Sequence, residues 1–209
     1  MAVFVKQYNC IFVHIPKTAG TSIIKRIESL SPVTEVKNNL AKNDFYHSTY
    51  SHCKESIKDL QSYFKFTVVR NPWDRACSWF FYRKQRIEKN LNGVRRDMMK
   101  NKVELIKEYD FMNKDFNEWL DRYIEVEWDF TWFSLSHSQM TWIDRTENFD
   151  KICKFETLQS DLNEIGINIR HSNKSSNRNL LYRELFNLNS INLINRHYEE
   201  DIDLFKYGF

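Results

Sequence analysis

Residues 10–24, CIFVHIPKTAGTSII, decide the fold of this 209-residue chain. The run from Cys10 to Ile15 is short and almost continuously apolar, which is typical of a strand buried on both faces of a sheet. Residues 16–22 then form a polar loop, and apolar residues return at helical spacing until Ser31-Pro32 ends the helix. Strand, loop and helix in this order predict the opening half of a βαβ unit.

The same order recurs along the chain. Lys65 to Val69 is a second apolar run, and Asn71 followed by Pro72 is a good start for a helix that reaches about Arg86. Alternating strands and helices predict an α/β domain with a short, mainly parallel sheet of four or five strands flanked by helices. The other predicted elements are strands at Val33–Val36 and Lys151–Phe155, and helices at Lys54–Tyr63, Asp115–Val126, Glu156–Ile165 and from Ser190 onward.

Composition narrows the functional class. The net charge of +3, with 42% hydrophobic and 28% charged residues, suits one globular domain over residues 1–209 and excludes wholesale disorder. This charge permits an acidic ligand but does not indicate nucleic acid as a partner. No run of 18 apolar residues predicts a membrane span, no signal peptide is seen, and four scattered cysteines without a CxxC pair suit free thiols. We therefore expect a cytoplasmic protein.

The loop at residues 16–22 is the first candidate site. Its backbone N–H groups and the start of the following helix point to one place, and this favours an anion. Lys17 adds a positive charge, and three hydroxyl groups lie in the same seven residues. Because the lysine precedes the loop's only glycine, this is not a GxxxxGK[ST] loop of nucleoside triphosphate enzymes. A plain strand-to-helix turn with a polar cap is the alternative.

The second candidate site follows the second strand. Arg70 stands at the carboxyl end of that strand, where open α/β sheets bind ligands, and Ser78 lies about two turns into the next helix. An arginine fork and a hydroxyl suit a second phosphate. A salt-bridged arginine and a helix-buried serine are the alternative for this pair.

Taken together, these stretches resemble the PAPS-dependent sulfotransferases, in particular the carbohydrate branch of heparan 2-O-like and bacterial enzymes. The matching segments are HIPKTAGTS at 14–22, VRNPWDRACS at 69–78, FETL at 155–158 and YEEDIDLF at 198–205. Residues 83–140 match poorly and are expected to form a variable, mostly helical insertion. The resemblance implies a P-loop-like three-layer fold and sulfuryl transfer from 3′-phosphoadenosine 5′-phosphosulfate (PAPS) to a hydroxyl, with a carbohydrate as the expected acceptor and PAP as product.

The resemblance also assigns residues to the donor. Lys17 is expected to stabilise the leaving bridging oxygen, and a polar loop around residues 171–178 is expected to close over the nucleotide. No acidic residue closes either strand, so we expect no metal. The residues assigned to donor binding are Lys17, Thr18, Ala19, Gly20, Thr21 and Ser22 at the 5′-phosphosulfate, Arg70 and Ser78 at the 3′-phosphate, and Lys174 and Ser175 in the closing loop.

Transfer to an alcohol by in-line displacement needs a group that accepts the hydroxyl proton, and histidine is the usual one. His52 heads the predicted helix before the second strand, and the resemblance places the acceptor-site histidine about there. His47 is the second candidate, and an acidic residue or no base at all are the remaining alternatives.

Two other functions stay open. One is a P-loop-type kinase that uses a nucleoside triphosphate, and the other is a non-catalytic glycan-binding relative. The stretch 83–108 holds nine basic and four acidic residues. It is interpreted either as a solvated helical insertion or as the lip of a site for an anionic glycan.

Overall fold

The structure, a computed structural model, describes residues 2–32, 34–36, 48–91, 102–125, 135–168 and 182–209. In this part of the chain one five-stranded sheet has the order β3-β1-β2-β4-β5. Strands β2, β4 and β5 pair in parallel, whereas β1 is antiparallel to both of its neighbours, so every strand except β1 runs in one direction. The strands are β1 (Ala2–Val5), β2 (Cys10–Val13), β3 (Thr34–Val36), β4 (Phe64–Val69) and β5 (Lys151–Lys154).

Helices connect and cover these strands. The α-helices of the described residues are α1 (Gly20–Glu28), α2 (Tyr50–Ser56), α3 (Pro72–Leu91), α4 (Lys102–Lys114), α5 (Phe116–Tyr123), α6 (Met140–Ile143), α7 (Leu158–Glu164), α8 (Leu188–His197) and α9 (Glu199–Phe205). Single 3-10 turns lie at Lys6–Tyr8, Leu60–Ser62, Thr146–Asn148, Phe155–Thr157 and Tyr182–Glu184. In these residues no helix combines the length and the apolar character that crossing a membrane requires.

Two predicted helices are divided in the structure. The one expected at Lys54–Tyr63 is α2 followed by a separate turn, because Ile57 is extended and Asp59 has a left-handed φ of 54°. The C-terminal helix is α8 and α9, which meet at Tyr198, a fully buried tyrosine with non-helical backbone angles. Strand β1 was not predicted from the sequence.

Alternate side chains of the central strands point to opposite faces of the sheet. Phe12 and Phe66 stack with ring centroids 4.8 Å apart on the face covered by α1 and α7. Ile11 and Val13 lie on the other face, which is covered by α2, α6 and the end of α9. This arrangement of helices, sheet and helices confirms the predicted three-layer α/β fold.

A separate apolar core lies among α3, α4, α5 and α8. The ring of Phe80 meets Phe116 and Trp119 edge-on, at centroid distances of 5.1 and 5.0 Å. Contacts of this kind contribute about 0.5–1.5 kcal/mol each beyond the area they bury. Helices α4 and α5 belong to the stretch 83–140, so the stretch that was expected to be a variable insertion packs onto α3.

The basic stretch at 83–108 is only partly solvated. Arg83 is 5% exposed and Glu108 is 2% exposed, and they form a two-pronged ion pair of 2.9 and 2.7 Å between α3 and α4. Arg83 is therefore a core residue that joins two helices. Residues 92–101 of this stretch lie outside the described residues.

Candidate active site

The loop between β2 and α1 is held in a tight, strained conformation. Lys17 and Ala19 both have a φ of 70°, in the left-handed region that side chains other than glycine avoid. Thr18, between them, is fully buried, and its hydroxyl donates to the Ile15 carbonyl at 2.7 Å. A left-handed backbone at a residue other than glycine costs of order 1–3 kcal/mol, and residues in this conformation concentrate at functional sites. Tight turns of this kind gather backbone N–H groups into a concavity suited to anions.

Gly20, the first residue of α1, is required by the ring of His14. A Cβ at this position would lie 1.8 Å from His14 Cδ2, which is far inside van der Waals contact. Burial lowers the pKa of His14 well below its usual value, and the positive charge of Lys17 lowers it further. His14 is therefore a neutral packing residue at neutral pH, and glycine is the residue that lets its ring lie against the helix.

Lys17 leaves the loop toward α3. Its Nζ lies 3.9 Å from the centroid of the Tyr82 ring, so the ammonium group stacks on an aromatic face. Tyr82 in turn accepts a hydrogen bond of 3.1 Å from Arg86 Nη1 on the same helix. The predicted cation of the loop thus has a defined position against α3.

Two arginines of the segment 69–78 donate hydrogen bonds to carbonyl groups of the 16–22 loop. Arg70 Nη1 donates to the Lys17 carbonyl at 2.8 Å, and Arg75 Nε donates to the Pro16 carbonyl at 3.3 Å. Arg75 was not predicted as a site residue. The two segments that the sequence analysis treated separately are therefore one hydrogen-bonded unit at the carboxyl ends of β2 and β4.

Arg70 is 3% exposed, and protein groups surround its guanidinium. Its Nε and Nη2 lie 2.7 and 2.6 Å from Asp74 Oδ2, and its Cζ lies 3.9 Å from the centroid of the Phe155 ring. A phosphate bound at Arg70 must share the guanidinium with Asp74. Asp74 was missed in the sequence, although its spacing of four residues from Arg70 is the usual signal for an ion pair at a helix start. Ser78 lies one turn beyond Asp74 on α3 and is half-buried.

A hydrogen bond connects the start of α3 to the segment FETL at 155–158. Asn71 Oδ1 accepts the backbone N–H of Trp73 at 3.1 Å, and the backbone N–H of Asn71 donates to Glu156 Oε1 at 2.7 Å. The other oxygen of Glu156 accepts from the Tyr207 hydroxyl at 3.1 Å. Burial raises the pKa of Tyr207, and the charge of Glu156 raises it further, so the phenol stays protonated as a donor.

His52 has a structural role at the start of α2. Its ring Nδ1 accepts a hydrogen bond of 2.9 Å from the backbone N–H of Thr49. The backbone N–H of His52 in turn donates to the Thr49 hydroxyl. This reciprocal pair is a capping box, here with a histidine in the place of the usual glutamate. A neutral ring that accepts through Nδ1 carries its hydrogen on Nε2. His47, Lys174 and Ser175 lie outside the described residues.

The structure therefore brings together the 16–22 loop and Arg70, with Ser78 two turns along α3. It places His52 on another element, where its described hydrogen bonds stay within residues 49–52.

Fold and site together define an α/β protein with a strained loop and a buried arginine side by side at the carboxyl ends of two parallel strands. The family model described as "Sulfotransferase family" matches residues 1–208 of the chain. The chain belongs to this family, and its reaction class is the transfer of a sulfuryl group. Comparisons with curated proteins and with solved structures gave no match.

Proposed function

We propose that the protein transfers a sulfuryl group from PAPS to a hydroxyl group of a carbohydrate and releases PAP. The observation that carries the proposal is the 2.8 Å hydrogen bond from Arg70 to the Lys17 carbonyl. PAPS has phosphate groups on both sides of its ribose, so it needs two neighbouring anion sites. The residues present suit such a donor, since a lysine-bearing loop adjoins a buried arginine at one edge of the sheet.

Lys17 and the loop from Thr18 to Ser22 bind the 5′-phosphosulfate in this proposal. The Lys17 ammonium stabilises the negative charge that develops on the bridging oxygen as the sulfur–oxygen bond breaks. Its stack on Tyr82 limits the positions that the flexible side chain explores. The strained backbone of the loop holds its N–H groups in place before the donor arrives.

Arg70 and Ser78 bind the 3′-phosphate, and Lys174 and Ser175 contribute from the closing loop. Since Asp74 already pairs with the guanidinium, it orients the arginine but also repels a second anion. The affinity for the 3′-phosphate is then the balance of these two effects.

His52 removes the proton of the acceptor hydroxyl as the oxygen attacks sulfur in line with the leaving bridging oxygen. This role requires a ring nitrogen with a lone pair that faces the acceptor. Nε2 carries a lone pair in the tautomer whose hydrogen lies on Nδ1, and Nδ1 is 2.9 Å from the Thr49 hydroxyl oxygen, which can accept that hydrogen. In that tautomer Nδ1 no longer accepts the Thr49 backbone N–H. The ring therefore cannot act as a base at Nε2 and keep this bond of the helix cap at the same time.

The carbohydrate acceptor is proposed from the resemblance of the two motifs to the carbohydrate branch, and the small positive net charge suits an anionic glycan. Specificity for one sugar is expected in residues 83–140, where that resemblance is poorest.

Thermal unfolding with PAP and with ATP–Mg²⁺ tests the donor, and turnover of PAPS with a panel of sugars tests the reaction. We expect PAP to raise the Tm without added metal, and PAPS to be consumed with at least one sugar. Stabilisation by ATP–Mg²⁺ alone contradicts the proposal in favour of a kinase. Binding of PAP without turnover on any acceptor favours a glycan-binding relative.

A further inference from the structure

Gln139, immediately before α6, clamps the main chain of Arg70. The Arg70 backbone N–H donates to Gln139 Oε1 at 2.8 Å, and Gln139 Nε2 donates to the Arg70 carbonyl at 2.9 Å. The side-chain amide thus makes the pair of hydrogen bonds that the N–H and C=O of one residue on a neighbouring antiparallel strand would make. Arg70 follows the last residue of β4, so this clamp extends ordered pairing one residue beyond the strand.

Gln139 is itself held from a distant helix. Its backbone N–H lies 2.7 Å from Oδ2 and 3.0 Å from Oδ1 of Asp201 in α9, and Oδ1 also accepts from the Met140 N–H at 3.2 Å. Gln139 and Asp201 are both fully buried. A buried amide and a buried carboxylate are costly unless their hydrogen bonds are made. Here Asp201 bonds to Gln139, and Gln139 bonds to Arg70.

We infer that Gln139, anchored by Asp201, is a positioning residue of the second anion site, which aims the Arg70 guanidinium at the 3′-phosphate of the donor. The inference rests on the proposed function, in which Arg70 meets that phosphate. An apolar side chain would fill the same space without the cost of burying an amide. Both bonds of the Gln139 amide go to the one residue that bears the buried guanidinium, so the clamp acts on the aim of that side chain.

The test is the ratio of affinities for PAP and for AMP, which lacks the 3′-phosphate. Gln139→Met keeps the volume of the side chain and removes both hydrogen bonds. We expect it to weaken PAP about tenfold, since the Arg70 guanidinium must then be ordered when PAP binds, and to leave the affinity for AMP unchanged. The matched control is Gln159→Met on α7, where the side chain donates to Asn163, one turn along the same helix, and it should change neither affinity.

A general structural role predicts a different result. If Gln139 only supports the core, PAP and AMP weaken by the same factor, or neither weakens, and the inference is overturned. If Gln139→Met does not fold, Asp201→Asn decides in its place. It leaves the clamp amide present but turns a donor toward the Gln139 N–H, so a smaller loss specific to PAP is expected.

The wild-type protein separates this inference from the proposed function. A wild type that binds PAP no better than AMP refutes the proposed 3′-phosphate site, and the inference falls with it. A wild type that prefers PAP, together with a Gln139→Met protein that keeps the full preference, overturns the inference alone.

Discussion

Single residues of the β2–α1 loop act through close contact. Gly20 leaves room for the His14 ring, and Lys17 adopts a left-handed backbone while its side chain reaches Tyr82. Residues 17–20 thus combine backbone strain, tight packing and a positive charge.

Gly20→Ala is expected to destabilise the protein by about 1–3 kcal/mol, because the new methyl group overlaps the His14 ring. The matched control is Gly208→Ala, since nothing lies within 4 Å of a Cβ at that position. Chemical denaturation of both variants measures the difference. Equal stability of the two would mean that the ring moves aside without cost.

Lys17→Ala is expected to reduce kcat by about 10²–10³, the usual loss for one preorganised group that stabilises transition-state charge. PAP affinity should fall much less, because the loop N–H groups remain. Lys25→Ala, an exposed lysine in the last turn of α1, is the control for the loss of one charge. An unchanged kcat in Lys17→Ala removes this lysine from the chemistry.

At the scale of elements, two residues that were considered for function also hold helices in place. His52 caps α2, and Arg83, from a stretch that the sequence shows as basic, joins α3 to α4.

His52→Ala and Thr49→Ala both break the capping box of α2, at a cost of about 0.5–2 kcal/mol each. If His52 is the base, only His52→Ala also loses about 10²–10⁴ in single-turnover rate while it keeps PAP affinity. Single-turnover assays with PAP binding measured in parallel make this comparison. Equal, small losses in the two variants assign His52 to the cap alone.

Glu108→Leu is expected to lower the free energy of unfolding by about 3–5 kcal/mol, because it removes the carboxylate that makes two hydrogen bonds to the buried Arg83 guanidinium. The double variant Arg83→Met with Glu108→Leu should recover most of this loss, since two apolar side chains then fill the site. Denaturant unfolding of the wild type and both variants forms the test. A double variant as unstable as the single one would show that packing, not charge, sets the cost.

At the scale of the whole molecule, stability is expected to depend on pH through His14. Its folded-state pKa lies below the unfolded value of 6.5, so the contribution is fully present above that pH. As pH falls below 6.5, the unfolded chain binds a proton that the folded chain does not, and stability decreases until the folded-state pKa is reached. The limiting slope is about 1.4 kcal/mol per pH unit for one proton.

Unfolding experiments between pH 7 and pH 5 on the wild type and on His14→Gln measure this slope. The variant should show a smaller loss of stability on acidification, even if its stability at pH 7 is lower. The same slope in both proteins would assign the acid sensitivity to other groups.

Features that arise from neighbouring residues could be predicted from the sequence. The apolar runs of β2 and β4, the polar loop after β2, and the Asn71-Pro72 start of α3 depend on local patterns, and the structure has them where they were predicted. The sequence also indicated the family through these segments. It predicted single helices at Lys54–Tyr63 and from Ser190 onward, and both are divided in the structure, because the backbone of Asp59 and the burial of Tyr198 interrupt them.

The construction of the site depends on contacts between residues that are far apart in the chain. Arg70 bonds to the carbonyl of a residue 53 positions away, its main chain bonds to Gln139 across 69 positions, and Asn71 bonds to Glu156 across 85. No local pattern records such partners, because a glutamine or glutamate has the same propensities whether it faces water or a buried main chain. The partners are selected when β2, β4 and β5 align in one sheet and the helices cover it, since each buried polar group must then find its hydrogen bond inside the protein.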